Sequence, residues 1–394
     1  MHASSHKVLY VHFNTAGSWL YSKYAYALKS AGAEVSIVCL DQPPELIISG
    51  FYDGLIPVTI LSHSAVLTGK SKMVKELERI KSRIQKRLVI HKLRHHLKIS
   101  RPTHLVAGDP FALAVCASIM DEMRARLIYV PFEFYPEHVG ANARQMAKFT
   151  AYEERHLHKA STAIFLGDSI LSYYHKKYSF LADKAHVVYS SWPTCQNKVA
   201  LRLRADAGVD AGKKIILYQG SVQSDRGLVN VVKALKSLPD NTMFVILGYG
   251  PECDFLDQCA VKLGVREKIK FLPPVPQQAL MSYTKDADVG IIPLFNVKSH
   301  RYACPGKLFE YIAAELPLVV SDMPDLKRIV AQNRLGEVYA SDSIEDLTRA
   351  LSRLLENKVY RMECVMNARQ AQSSYLSWEK QSDKLCGIIF EDGE

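Results

Sequence analysis

Short runs rich in β-branched and aromatic residues alternate with longer stretches of helical spacing, and the chain does this twice. In the first half, residues 7–13, 34–40, 104–108, 127–132 and 161–166 have strand character, while 18–30, 111–123 and 145–158 carry helical patterns. Strands separated by helices pair in parallel, because each crossover helix carries the chain back to start the next strand at the same end. The pattern breaks at 190–212, where Ser190-Ser191-Trp192-Pro193-Thr194 leads into a charged stretch and then Gly208 and Gly212, chemistry suited to a domain connection. A second series follows, with strands expected at 214–219, 242–247, 270–272, 289–292 and 318–320, and helices at 228–238, 252–263, 277–286 and 307–314. No sequence period relates the halves, so this is not a repeat protein. The expected architecture is α/β: two Rossmann-like doubly wound domains, 1–195 and 196–371, facing each other across a cleft.

Charge is concentrated in one place. The net charge is +10, and the segment from Lys70 to Arg101 holds twelve Lys and Arg against Glu76 and Glu78, an excess as large as that of the whole chain. Val74, Leu77, Ile80, Ile84, Leu88 and Leu97 fall at helical spacing within it. Such a helix is either a solvated charged face or a docking element for anionic bilayers, at ~1 kcal/mol per cation near the surface. No RNA-binding motif accompanies the charge, so nucleic acid is not an expected partner. No apolar run reaches the ~20 residues of a membrane span, and residues 1–7 lead into a strand-like run instead of a signal-peptide core. A cytoplasmic protein is therefore expected. The eight cysteines are scattered, without C-x-x-C pairs or histidines at metal-ligand spacing, and read as reduced thiols without a metal.

The stretch with most chemical content is 304–321. Pro305 and Gly306 end a loop, a helix starts at about Lys307, and Pro317 closes it before a buried strand. A helix N-terminus offers free N–H groups and partial positive charge, which can hold a diphosphate without a metal. Lys307 adds a full charge in that turn. Glu310 follows one turn later on about the same face, where a carboxylate can accept from a ribose diol. Leu308, Ile312 and Ala313-Ala314 would pack the opposite face. The competing reading makes Lys307 and Glu310 solvated residues of an amphipathic helix. Upstream, the glycine-bounded loop 220–227 follows a strand and offers Arg226 for phosphate, and Gly248-Tyr249-Gly250-Pro251 repeats the strand, turn and helix start, or is an ordinary tight turn.

Four motifs, Gly220 to Gly227 with Arg226, Gly248-Tyr249-Gly250-Pro251, the strand Ala287-Asp288-Val289-Gly290-Ile291-Ile292-Pro293, and 305–320, resemble in order and spacing the GT-B retaining glycosyltransferases of family 4 (glycosyl transferases group 1). The resemblance covers about 160 residues. It implies a metal-independent retaining hexosyltransferase that needs no cofactor beyond a UDP- or GDP-sugar donor. It implies that Glu310 binds ribose, that Arg226 and Lys307 bind diphosphate, and that the loop ending at Val275 contacts the base. Ser221, Gly250, Tyr302, Gly306 and Leu308 complete the implied donor site. The chain departs from the family pattern at the sugar end, with Tyr302 where family members commonly have a second glutamate and Ser221 where many have an arginine.

In the first half the resemblance rests on position. The loop after the first strand holds Ala16 and Gly17, whose backbone N–H groups can face the donor phosphate or the acceptor, or simply form a turn capped by Ser18. Asp109 and Glu133 follow two strands that end at one rim of the sheet, the places the family uses near its reacting centre. There a carboxylate can hold an acceptor hydroxyl or stabilise positive charge developing at the anomeric carbon, the leaving diphosphate taking the proton. Asp109 can equally cap the helix that follows it. Residues 372–394 open a final helix that the resemblance returns to the N-terminal domain. Family members often use lipid-linked acceptors, so the implied function is sugar transfer to a hydroxyl acceptor such as a lipid-linked or cell-surface glycan precursor in polysaccharide biosynthesis. The basic segment would then place the protein peripherally on the cytoplasmic face of the membrane. The alternatives are a nucleotide-sugar epimerase or hydrolase on the same fold, and a degenerate nucleotide-sugar-binding subunit.

Overall fold

In the computed structural model, which describes residues 6–13, 18–39, 56, 58–60, 88, 90–137, 141–194 and 200–390, the strands form two all-parallel sheets in two compact units. The first unit draws on the described residues of 1–166, 171–188 and 382–394, and the second on 167–170 and 189–381.

Among the described residues the first sheet has seven strands: β1 (Lys7–His12), β2 (Glu34–Cys39), β3 (Val58–Ile60), β4 (His104–Ala107), β5 (Arg126–Tyr129), β6 (Thr162–Phe165) and β7 (Ala185–Val187). They are ordered β3-β2-β1-β4-β5-β6-β7. Val8 of β1 faces Val35 on one side and His104 on the other, so the winding direction reverses between β1 and β4. Leu9, Val11, Leu105, Val106, Leu127 and Ile128 are fully enclosed, as expected where both faces of a parallel sheet are covered. The helix expected over 111–123 is two, Pro110–Ala117 and Met120–Met123, the second stopped by Arg124 in the left-handed conformation at φ 51°. The helix Ala143–His156 begins with a capping box, in which Asn142 Oδ1 accepts from Gln145 N–H while Asn142 N–H donates to the Gln145 side chain. β3 and β7 have three residues each, too few for an alternation to show in the sequence.

Helix 143–156 brings Glu153 into the core of this unit, where it is 1% exposed. Its Oε1 accepts from Tyr129 Oη (2.7 Å) and Tyr174 Oη (2.5 Å), while Oε2 is buried without a hydrogen-bond partner among the described residues. Burial pushes this carboxyl up to about 7, against the pull of both tyrosine hydroxyls.

In the second unit the strands are β8 (Lys214–Gln219), β9 (Thr242–Leu247), β10 (Ile269–Leu272), β11 (Val289–Ile292), β12 (Leu318–Ser321) and β13 (Gly336–Tyr339), ordered β10-β9-β8-β11-β12-β13. Here the winding reverses between β8 and β11. β8, β9 and β11 occupy the spans expected from sequence. β13 and the helices Pro324–Gln332, Ile344–Glu356 and Lys358–Ala371 extend the unit beyond the elements that the strand and helix patterns suggested. Asp288, part of the third motif, sits at the entry end of β11, opposite to the exit ends of β8 and β11. It accepts from Arg204 Nη2 (2.7 Å), Lys214 Nζ (3.1 Å) and Ile215 N–H (2.9 Å), so it clamps the start of β8 to the start of β11. The last helix, Trp378–Phe390, contributes its residues from 382 onward to the first unit, where Phe390 stacks on His6 at 4.5 Å.

Because the folded-state pKa of Glu153 lies above its unfolded value near 4.5, its stabilising effect is complete below pH 4.5 and is lost as pH rises through 7. Denaturant melts between pH 4.5 and 8 should show a decline of about 3 kcal/mol that Glu153→Gln removes. An unchanged pH slope in the variant would refute this account.

Candidate functional site

At the point where winding reverses in a doubly wound sheet, the segments leaving two neighbouring strands diverge and open a crevice. In the second unit these segments follow β8 and β11. The first is the loop Gly220 to Gly227, which ends in the short 3-10 turn Ser224–Arg226. Gly227 adopts φ 69°, and a Cβ there would overlap the carbonyl of Pro293, the residue directly after β11. Glycine is therefore required where the Arg226 turn presses on the β11 exit. Gly250 is similarly constrained, since a Cβ would overlap the Val222 carbonyl. Its loop is tied to the first one by Val222 N–H donating to Tyr249 O (3.1 Å). The glycine turn read from sequence thus buttresses the loop after β8.

The helix Gly306–Ala313 enters this crevice with Pro305 at its N-cap, one residue before the expected start. Proline offers no side-chain acceptor, so apart from Leu308 N–H, which donates to Pro305 O (3.0 Å), the first-turn N–H groups have no side-chain cap and the helix start keeps its partial positive charge. Leu308, Phe309, Tyr311 and Ile312 are buried beneath the helix, and Tyr311 lies over Gly290 of β11, where a Cβ would meet its ring. Leu308 thus anchors the helix from below.

Lys307 and Glu310 both reach to the end of β8. The Lys307 ammonium lies 4.0 Å from the centre of the Tyr218 ring and next to Gly220. Burial, then the nearby Arg226 guanidinium, push it down to about 7, with Glu310 and Asp225 pulling the other way. Glu310 Oε2 accepts a hydrogen bond from the amide of Gln219. Gln219 Oε1 in turn accepts from Thr284 Oγ1 (2.9 Å), and Gln219 N–H donates to Tyr311 Oη (3.1 Å), whose own hydrogen goes to Leu217 O (3.1 Å). Three successive residues of one strand end, Tyr218, Gln219 and Gly220, therefore receive the two side chains of the helix.

Arg226 comes from the loop after β8 itself. Its Nη1 is 3.3 Å from His300 Nε2, and its Nε is buried without a hydrogen-bond partner among the described residues, 3.5 Å from Asp225 Oδ1. His300 is itself buried. Its Nδ1 must carry a hydrogen, because it lies 2.9 Å from Phe295 O, which can only accept. Asp225 Oδ2 is 3.1 Å from its Nε2. Tyr302 follows in the same 3-10 turn, half-buried, three residues ahead of the helix N-cap. Ser221 is exposed, and its carbonyl accepts from Tyr218 Oη at 2.6 Å. Val275, half-buried, lies in the loop after β10 beyond the exposed Pro273 and Pro274.

The sequence reading missed Gln219, Thr284, Asp225 and His300. A polar residue ending a buried strand immediately before a glycine loop was the available signal for Gln219; the other three had none at sequence level.

In the first unit the reversal between β1 and β4 places Asp109 at the equivalent position. Asp109 is 3% exposed and has both oxygens engaged: Oδ1 accepts from Phe111 and Ala112 N–H (2.9 Å each), and Oδ2 from Phe13 N–H (2.6 Å). It caps helix 110–117 and joins it to the end of β1. Burial pushes its carboxyl up to about 6 against those three N–H donors, and burial pushes His12, 3.8 Å away, down to about 3. Glu133 follows β5 and is exposed between the buried Phe132 and Phe134. Ala16 and Gly17 lie outside the described residues, as does most of the basic segment. Of that segment, residues 90–100 are helical, with Leu93 and Leu97 buried and Lys92, Arg94 and Lys98 exposed. Among the described residues no helix is long and apolar enough to cross a membrane.

Residues 201–371 match the family model described as glycosyl transferases group 1. They carry a group 1 glycosyltransferase domain. This domain includes the whole loop after β8, both reaching side chains of helix 306–313, and Thr284. An uncharacterised glycosyltransferase of Methanocaldococcus jannaschii is 27% identical over 205 residues, 50% of this chain and 51% of its own. A D-inositol 3-phosphate glycosyltransferase of Corynebacterium glutamicum is 26% identical over 196 residues, 48% of this chain and 46% of its own. The chain spans about half the length of the curated relatives it matches. Among solved structures, Anabaena HepE in complex with UDP and glucose superposes with a TM-score of 0.73 at 14% identity, covering 98% of this chain and 99% of that one. The fold of the group 1 domain and its companion unit is thus GT-B.

Since burial lowers the Lys307 pKa to about 7 in the folded state, the folded protein resists charging it, and stability from this site rises with pH between about 7 and 10.5. Lys307→Met should raise the melting temperature at pH 6 and leave it nearly unchanged at pH 10.5. Equal effects at both pH values would show that Lys307 is not desolvated.

Proposed function

We propose that the protein is a retaining glycosyltransferase that takes a UDP- or GDP-sugar and transfers the sugar to a hydroxyl acceptor. The observation that carries this is the convergence of Lys307, Arg226 and the uncapped start of helix 306–313 around the loop after β8, with the Glu310 carboxylate one turn beyond. Two cations and a helix N-terminus suit a diphosphate, and a carboxylate one turn along the helix suits the ribose attached to it. The positive charge comes from the protein, so no metal is needed to neutralise the diphosphate. A group 1 family match over this domain and a UDP-bound structural neighbour of the same fold support the reading.

The leaving diphosphate takes the proton of the attacking hydroxyl on the face it departs from, so retention follows without a protein base. Lys307 and Arg226 stabilise the charge that grows on the diphosphate as the glycosidic bond breaks. We assign the acceptor role to Glu133, exposed in the segment that follows β5. Asp109 acts as a positioning residue, because its Oδ2 holds Phe13 directly after β1 while its Oδ1 caps helix 110–117. The exposed Lys92, Arg94 and Lys98 fit an anionic membrane surface, and with it a lipid-linked acceptor.

Thermal-shift titrations with UDP, GDP and their sugars should show one nucleotide raising the melting temperature, unchanged by EDTA. Glu310→Ala should shrink that shift strongly, leaving only the weaker binding of the diphosphate contacts, and should abolish turnover; activity surviving in Glu310→Ala would overturn the site. At pH 8.5, nucleoside diphosphate binding should take up a proton, because a phosphate beside Lys307 raises its pKa from about 7. Calorimetry in buffers of different ionisation enthalpy measures that uptake, and Lys307→Met should remove it.

A further inference from the structure

The Glu310 carboxylate is the terminus of a buried relay. Gln219 is 3% exposed and Thr284 is fully enclosed. Thr284 Oγ1 shares its single hydrogen between Gln219 Oε1 (2.9 Å) and Leu280 O (2.9 Å), on its own helix. A carboxylate can only accept, so the Gln219 NH2 must face Glu310 and its carbonyl oxygen must face Thr284. The amide orientation is therefore set at both ends. The backbone of Gln219 is held as well, by Tyr311 Oη, and Tyr311 lies on the same helix as Glu310. Side chain and main chain of one residue thus grip the helix on which the carboxylate rides.

From this arrangement we infer that Gln219, backed by Thr284, is the positioning residue that sets which way Glu310 presents its carboxylate, and thereby sets discrimination for a ribose over a deoxyribose nucleotide. The inference rests on the proposed ribose role of Glu310. A glutamate three carbons from the backbone has many rotamers in a polar crevice, and accepting two sugar hydroxyls requires one of them. The amide of Gln219 holds one carboxylate oxygen in that rotamer and brings no charge of its own. Oε1 lies on the side of Gly306, 4.0 Å from where a Cβ of that residue would stand, and so beside the helix start. Ribose and phosphate contacts are then in fixed register on one turn of helix. A site built around hydroxyl groups rejects the analogue lacking them, because its buried acceptor is left unsatisfied.

The test measures dissociation constants of UDP and GDP, and of their 2′-deoxy and 3′-deoxy forms, for the full chain by calorimetry. The wild type should prefer the better ribonucleotide over its deoxy forms by about tenfold or more. Gln219→Met, of similar volume, should shrink that preference to less than about threefold while the deoxy nucleotides bind as before. Thr284→Val approaches the relay from the other end and should give an intermediate preference, so the idea stays testable if Gln219→Met folds poorly. Arg226→Lys should weaken ribo- and deoxyribonucleotides alike and leave their ratio intact. If Glu310→Ala loses the preference but Gln219→Met and Thr284→Val keep it in full, the relay has no positioning role and the inference fails alone. If Glu310→Ala keeps the preference, or no nucleoside diphosphate binds the wild type, the ribose assignment falls and takes the inference with it.

Discussion

The parallel pairing of β8 with β9 on one side and β11 on the other is the constraint on which the rest of the second unit depends. Reversal of winding across that pair sends the chain leaving β8 and the chain leaving β11 in opposite directions, so their exits cannot cover one another. Asp288 enforces the pairing from the far end by accepting from Arg204, Lys214 and the Ile215 backbone. Once the strand starts are clamped, the strand ends are fixed, and the end of β8 becomes the floor on which helix 306–313 sets its side chains. Close packing at Gly227 against Pro293 and at Gly250 against Val222 then leaves the loop little freedom to drift.

The electrostatics of that floor are unusual for a structural region. Lys307, Arg226, Asp225 and Glu310, each half-buried, gather with the buried His300 around the end of β8. The Lys307 ammonium is accommodated over an aromatic face and next to a glycine, not in a close carboxylate pair, and its pKa falls accordingly. A cation held in this state gains most from an anion brought beside it, as a diphosphate-binding site requires. In the first unit the corresponding reversal, between β1 and β4, holds a carboxyl of the opposite kind. Asp109 is consumed by three backbone N–H groups, so its chemistry is spent on holding the strand exit in place.

The strand and helix alternation was legible because its periods are written in consecutive residues, and β8, β9 and β11 emerged with their ends in place. Elements of three residues, β3 and β7, left no period to detect. The split at Ser118 and Ile119 was hidden for another reason: no proline or glycine marks it, and the break is a turn in the backbone at these two residues. Lys307, Arg226 and Glu310 stood out because loop glycines and a proline before a helix mark them locally.

What the chain of residues determined by itself was the two-fold succession of β-α units and the positions of the charged groups next to their glycine turns, since both depend on neighbours in sequence. The tertiary structure alone decided which of these groups meet. Gln219 and Glu310 are 91 positions apart, and Arg226 and His300 are 74 apart. Their encounters follow from strand order, which is set by burial of whole sheet faces and not by any local signal. For the same reason Asp109, which the sequence left open between a reacting group and a cap, took its form only when the end of β1 was brought beside β4.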